Sequence, residues 1–308
     1  MTENTFLLID RIQKIRQIVN QYGEENFYIS FSGGKDSTVL SALIDLAFPN
    51  NKIPRVYADT GIELNMVRDY VFGLAEKDDR IKIIKPHVPI KSMLEIEGYP
   101  FKSKLHAHCV DLYQKYRFEK NMVNGYLGKR PEVWHSQTCP KKLQYQFTDQ
   151  NTLKISDRCC VRLKEEPLIE WANDHGKSIA IIGTMREEGG RRGRSGCLQF
   201  QGKKLKQFKP LNPITKDWEN WFIEKYKINL CALYYPPYNR SRTGCKGCPF
   251  SLHLQEELNM LEKYFPNERK QCELIWKPVY EEYRRLNYRL NSKEEKTNEG
   301  ICLQQENQ

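Results

Sequence analysis

Nowhere does the chain hold the run of about 20 apolar side chains that a membrane helix requires. A helical membrane span is therefore excluded, and no membrane partner is expected. The opening residues Met1-Thr2-Glu3-Asn4 have no cationic start leading into an apolar stretch. No secretory leader is read there, and the expected location is the cytoplasm. No internal repeat is present, which argues against a stacked-repeat architecture. The polar end of the chain, residues 291–308, lacks the apolar content to join a core and is expected to be a disordered tail.

What is there reads as a globular enzyme-sized chain. Its 308 residues suit one large domain or two modest ones, with 39% hydrophobic and 29% charged residues. Basic residues number 49 against 39 acidic, a net charge of +10, which favours polyanionic partners such as nucleotides or nucleic acid. Ten cysteines is a high count. In a reducing compartment disulfides are disfavoured, so metal binding or redox chemistry becomes the better expectation.

Helical spacing of Phe6, Leu7, Ile9, Ile12, Ile15, Ile18 and Val19 predicts a helix over 5–22. Phe27 to Phe31, Arg55 to Ala58, Ile81 to Ile84 and Ser178 to Gly183 read as strands. Helical stretches are expected over 37–46, 63–76 and 166–175. Strands alternating with helices predict an α/β fold: an open, mostly parallel twisted sheet with helices on both faces. The expected organisation is a nucleotide-binding α/β domain over 1–235, with an insertion near 100–158. A cysteine-rich, helical C-terminal region follows over 236–290.

Between the first strand and its helix stands Ser32-Gly33-Gly34-Lys35-Asp36-Ser37. Glycines let the backbone approach an anion, and the first amides of the helix face it with a favourable dipole. Ser32 and Ser37 add hydroxyl donors and Lys35 a cation. The spacing is not that of the Walker loop, which needs four residues between its first glycine and Gly-Lys.

This loop resembles the pyrophosphate loop of the adenine-nucleotide α-hydrolase superfamily. Asp59-Thr60-Gly61-Ile62-Glu63 resembles the phosphoadenosine phosphosulfate (PAPS) reductase branch of that superfamily. Gly183-Thr184-Met185-Arg186-Glu187-Glu188, with Arg191, resembles its glycine-arginine motif, and Tyr234 to Phe250 its C-terminal segment. The resemblance implies that Ser32, Gly33, Gly34, Lys35 and Ser37 hold phosphates. It places Asp36, Asp59 and Thr60 near them, with Mg2+ as the bridging cation. Gly183 would give the nucleotide room, and Arg186 and Arg191 would contact anionic groups. On this reading Lys35, Asp36, Asp59 and Arg186 are the catalytic candidates.

Cys159-Cys160 and Cys245-x-x-Cys248 make four thiols, enough for a tetrahedral metal or a cubane cluster. They resemble the paired cysteines that bind a [4Fe-4S] cluster in adenylylsulfate reductases, with zinc or no metal as the alternatives. Cys139 is most simply an inert cysteine, with a substitute ligand or a reactive thiol as the alternatives. His106-x-His108 and His135 are weaker metal candidates, more simply read as polar surface histidines.

Two departures from the sulfonucleotide reductases bear on the chemistry. The tail offers Gly300-Ile301-Cys302-Leu303 in place of their Glu-Cys-Gly-type motif, and the phosphate loop is complete where theirs is usually degraded. Both point to ATP, cleaved to AMP and pyrophosphate to activate an acceptor for sulfur transfer. Related cluster-bearing, ATP-cleaving enzymes act on tRNA or DNA, so a nucleic-acid acceptor and a sulfur donor are expected partners. The alternatives are reduction of adenylyl sulfate or PAPS with Cys302 or a thioredoxin-like protein, and a non-catalytic nucleotide-binding subunit.

Overall fold

The computed structural model describes residues 2–130, 137–188 and 196–291. Contacts divide the chain into two units. One comprises Met1–His87 and Leu163–Gly244; the other comprises Val88–Arg162 and the chain from Cys245 on.

The first unit is built on a six-stranded sheet among the described residues. Its strands are β1 (Phe27–Ser30), β2 (Arg55–Ala58), β3 (Ile81–Ile84), β4 (Ile179–Ile181), β5 (Leu198–Gln201) and β6 (Lys204–Phe208), in the order β3-β2-β1-β4-β6-β5. All neighbours run parallel except the β5–β6 pair at the edge. Helices α1 (Glu3–Tyr22), α2 (Lys35–Ala47) and α3 (Asn65–Ala75) follow the chain through the first strands.

Alternation along β1 explains the layering. Phe27 and Ile29 enter one core with Ile15, Ile18 and Val19 of α1 and Val39, Leu40 and Leu43 of α2. Tyr28, between them, packs on the opposite face with Val56, Ala172 and Ala180. Both faces of the sheet are thus covered, as the alternating pattern predicts. Arg55, a charge within a buried strand, is fully enclosed and bonds Ser41 Oγ (3.0 Å), Asn51 Oδ1 (2.8 Å) and Asp45 Oδ1 (2.6 Å). Complete pairing is what makes such burial tolerable.

In the second unit lie α4 (Ile90–Glu97), α5 (Lys104–Tyr116) and α6 (Asn121–Tyr126). The chain then returns to the first unit for α7 (Glu166–Asp174) and α8 (Lys216–Tyr226). Three further helices, α9 (Leu254–Tyr264), α10 (Pro266–Ile275) and α11 (Lys277–Arg285), close the described part of the second unit. The helical C-terminal region expected from sequence is present. The β5–β6 hairpin was not anticipated; its signal is Gly202, which takes a left-handed φ of +60° at the turn. The tail beyond Asn291 lies outside the described residues.

Candidate functional site

The first candidate site collects at the carboxyl ends of β1, β2 and β4, where ligands sit in open parallel sheets. Gly33 leaves β1 with φ +67°, and a Cβ there would lie 2.5 Å from Val71 Cγ2. Only glycine makes this turn against α3. Gly34 caps α2 without a side-chain acceptor, so the first amides of the helix depend on their surroundings.

Those surroundings are hydroxyl-rich. Ser32 N donates to Ser37 Oγ (3.2 Å), Gly34 N to Ser32 Oγ (3.3 Å) and Lys35 N to Tyr234 Oη (2.9 Å). Tyr234 Oη lies 3.0 Å from Thr243 Oγ1. Ser37 Oγ donates to Gly34 O at 2.9 Å, holding the loop closed on itself. Gly183, after β4, abuts the same loop: a Cβ there would meet Asp36 O at 2.9 Å and Ser37 N at 3.3 Å.

Lys35 extends toward α8, where its Nζ lies 2.9 Å from Glu219 Oε2 and 3.4 Å from Asn220 Oδ1. Glu219 is fully buried. The carboxylate is paired with the Lys35 ammonium and faces the Asp36 carboxyl. Burial, then the Asp36 carboxylate, push the pKa of Glu219 up to about 7 against the pull of Lys35.

Beyond β2, Asp59, Thr60 and Glu63 are buried together. Thr60 Oγ1 donates to Glu63 Oε2 (2.6 Å), Lys164 Nζ pairs with Glu63 Oε1 (2.7 Å), and Arg68 Nε approaches Asp59 Oδ2 (3.4 Å). Burial and the Glu63 and Asp59 charges raise the Tyr57 hydroxyl above the ordinary tyrosine range. Asp59 and Thr60 follow β2 directly, at the carboxyl end of the strand that neighbours β1. Arg186 is exposed, and its main-chain N–H binds Asn212 O at 2.9 Å. Arg191 lies outside the described residues, as do His135 and Cys302.

The second candidate site lies wholly in the second unit. Cys159 and Cys160 occupy a helical turn that continues as a π-helix over Val161–Glu165. The Cys245–Cys248 loop is clamped by α10, α11 and the residues around them. Trp276 Nε1 donates to Lys246 O (3.0 Å), the Tyr280 hydroxyl to Gly247 O, and Tyr283 Oη to Pro249 O (2.9 Å). Arg289 Nη1 adds a 2.7 Å bond to Pro249 O. Buried Lys246 turns its ammonium to Gln271 Oε1 (2.7 Å) and Glu268 Oε2 (3.3 Å). Gly247 has φ +58°, and a Cβ would collide with Tyr280 Oη and Cys272 Sγ.

The four thiols sense one another. A hydrogen bond to Cys160, then burial, then the charges of Cys160, Cys248 and Cys245 lift the Cys159 thiol far above its usual range. Burial, then Cys245 and Cys160 among others, do the same for Cys248. Ionised together, these groups repel, and a cationic iron or zinc centre relieves that repulsion by replacing the protons. The donor set thus fits a thiolate-bound centre. Among the described residues no group of three or more His, Cys, Asp or Glu side chains already stands in coordinating geometry.

The remaining sequence candidates separate from this quartet. Cys139 is buried, its main-chain N–H bonds Tyr126 O at 2.7 Å, and burial holds its thiol up at about 12. His106 is buried, with Nδ1 facing Tyr126 Oη (3.0 Å) and Nε2 facing Gln146 Oε1 (2.6 Å). Both ring nitrogens are occupied, so it is a core residue and not a ligand. His108 Nδ1 lies 3.4 Å from Asp157 Oδ1.

Sequence reasoning missed Glu219, and it marked Tyr234 to Phe250 as a C-terminal motif without placing Tyr234 or Thr243 at the phosphate loop. A glutamate between Trp218 and Phe222 on the apolar face of α8 was the available signal for Glu219. For Tyr234, 199 residues from Lys35 along the chain, no local pattern announces the pairing with the loop.

Residues 26–126 match the model of the phosphoadenosine phosphosulfate reductase domain. The likeness expected from the motifs is thereby borne out over that segment. No curated protein matches the chain. Among solved structures it is similar to phosphoadenylyl-sulfate (PAPS) reductase from Candida auris in a phosphate complex. That pair shares 13% identity and a TM-score of 0.41, over 76% of this chain and 91% of that one. An NH3-dependent NAD synthetase from Campylobacter jejuni shares 12% identity and a TM-score of 0.40, over 90% and 95% of the two chains. The U34-tRNA thiolase NcsA from Methanococcus maripaludis, solved with its [4Fe-4S] cluster, shares 16% identity and a TM-score of 0.40, over 92% and 80%. No described helix is long and apolar enough to cross a membrane.

Proposed function

For a chain whose residues 26–126 match the phosphoadenosine phosphosulfate reductase domain, we propose an ATP-using activity. ATP binds at Ser32–Ser37 and is cleaved to AMP and pyrophosphate, activating an acceptor for sulfur transfer. The observation that carries this reading is the intact loop. Gly33 takes a positive φ, Gly183 after β4 packs against Asp36, and the loop's donors gather around the start of α2.

On this reading the α2 amides and Lys35 stabilise the charge that develops on the departing pyrophosphate. Asp36 and Asp59 would hold Mg2+, which supplies further charge neutralisation on the phosphates. Thr60 orients Glu63 beside them, and Arg186 with Arg191 receives anionic groups of the nucleotide or acceptor. Cys159, Cys160, Cys245 and Cys248 would hold a [4Fe-4S] cluster, which supplies an iron centre able to bind or pass on sulfur.

The net charge of +10 supports a polyanionic acceptor, tRNA or DNA. A second reading, reduction of adenylyl sulfate or PAPS to sulfite with a thioredoxin-like partner, is favoured by the domain match itself. Anaerobic assay of AMP, pyrophosphate and sulfite from ATP and from each sulfonucleotide separates them. Pyrophosphate from ATP supports the first and sulfite the second. Tight binding without turnover leaves a nucleotide-binding subunit.

A further inference from the structure

Lys35 carries two anion donors, a main-chain N–H at the start of α2 and a side-chain ammonium, and each already has an acceptor. We propose that Tyr234 and Glu219 are positioning residues that stand in for phosphate at Lys35, the hydroxyl on its N–H and the carboxylate on its ammonium, and that phosphate binding displaces both. The inference rests on the reading of Ser32–Ser37 as the phosphate loop.

The Lys35 N–H is one of the helix-start amides with no partner inside the helix. Tyr234 Oη takes it at 2.9 Å, and Thr243 Oγ1 orients that hydroxyl from 3.0 Å. The same oxygens crowd one side of Gly34. A Cβ there would lie 2.9 Å from Thr243 Oγ1, 3.2 Å from Ser32 Oγ and 3.4 Å from Tyr234 Oη. Three oxygens converging on a glycine at a helix start occupy the place that phosphate oxygens take in such loops.

Glu219 is the second observation. It is fully buried, with Lys35 Nζ 2.9 Å from Oε2 and the Asp36 carboxyl as its second charged neighbour. A buried carboxylate set beside a second carboxyl is a poor stabiliser. It does hold the ammonium beside the loop. An incoming ligand must supply one oxygen to the N–H and another to the ammonium. A diphosphate unit carries oxygens for both donors with others to spare, so the exchange favours it over a single phosphate or sulfate. The two surrogates therefore act as a specificity filter for polyphosphate.

The test is calorimetric titration of the full-length protein with inorganic pyrophosphate and with inorganic phosphate. Divalent metals are chelated, and wild type, Tyr234→Phe, Glu219→Gln and Lys35→Ala are compared. Freeing the N–H is expected to tighten pyrophosphate binding by about three- to tenfold in Tyr234→Phe, the worth of one neutral hydrogen bond. Removing the competing charge is expected to tighten it by roughly tenfold in Glu219→Gln, as for a charge-assisted contact. Both variants should narrow the preference for pyrophosphate over phosphate. The ligand-free Tyr234→Phe protein should also melt earlier, a deficit that saturating pyrophosphate abolishes. Unchanged or weaker binding in either variant, while Lys35→Ala still weakens it, overturns the surrogate role of that residue and leaves the loop reading intact. Absence of pyrophosphate binding in wild type and in both variants overturns the loop reading along with it.

Discussion

Gly183→Ala is the sharpest test of whether the end of β4 holds the phosphate loop in place. The added Cβ would stand 2.9 Å from Asp36 O, 3.1 Å from Asp36 C and 3.3 Å from Ser37 N. All three are backbone atoms at the start of α2, so no side chain can swing aside. Relief requires the helix start to move by several tenths of an ångström. That shift would move the Lys35 and Ser37 amides at the helix start and loosen the Ser32 N–Ser37 Oγ bond that lines the cradle. Forcing one extra carbon into packed structure costs about 1–3 kcal/mol. If most of that falls on the ligand-binding geometry, nucleotide affinity drops roughly five- to 150-fold, at 1.4 kcal/mol per decade. The assay is calorimetric titration with ATP beside a melting curve. Gly73→Ala on α3 is the control, because a Cβ there has open space and helix propensity favours alanine by about 0.5–1 kcal/mol. Wild-type nucleotide affinity in folded Gly183→Ala would refute the claim that β4 buttresses the loop.

Gly33→Ala should be worse, since φ +67° and a 2.5 Å approach to Val71 Cγ2 combine strain with collision; loss of both stability and nucleotide binding is expected by melting and titration. Cys160→Ser or Cys248→Ser, purified anaerobically, should lose the broad visible absorbance and most of the iron of the wild type, about four irons per chain for one cubane. A colourless, zinc-containing wild type would instead remove the cluster from the account. The pH dependence of stability should report His106, whose pKa burial lowers to about 4 from 6.5. The unfolded chain then binds the extra proton first. The contribution is whole above the unfolded pKa and is lost as pH falls through the folded one, about 3 kcal/mol in all. Denaturant melts from pH 7 to pH 4 should show this slope, and His106→Gln should flatten it; equal slopes would show that the ring titrates elsewhere.

Most of the first unit is legible because its signals are local. β2 and β3 fall on the two short runs read as strands, and α2 and α3 begin within two residues of the expected starts. The loop is legible for the same reason, since glycine, serine and lysine each have a physical duty within six residues. The 100–158 stretch gave no clean period, and the structure shows why. His106, Tyr126, Gln146 and Tyr145 bury polar groups against one another, so hydrophobicity alone cannot mark the core face of α5. Polar residues doing the packing erase the pattern that a reader of sequence depends on.

The same contrast explains which parts of the candidate site escaped. Ser32 to Ser37 announce themselves, but the acceptors that complete the ligand-free loop come from Glu219 and Tyr234, residues brought in by α8 and by the chain after it. An anion site must avoid orphaned donors before its ligand arrives, because each unpaired buried N–H costs about 1–3 kcal/mol. A fold can meet that need with any oxygen that topology delivers, so the requirement fixes a place and not a sequence neighbour. The visible motif therefore states what the loop binds. The distant residues that hold the loop in its absence decide how tightly, and against which competitors, the exchange is made.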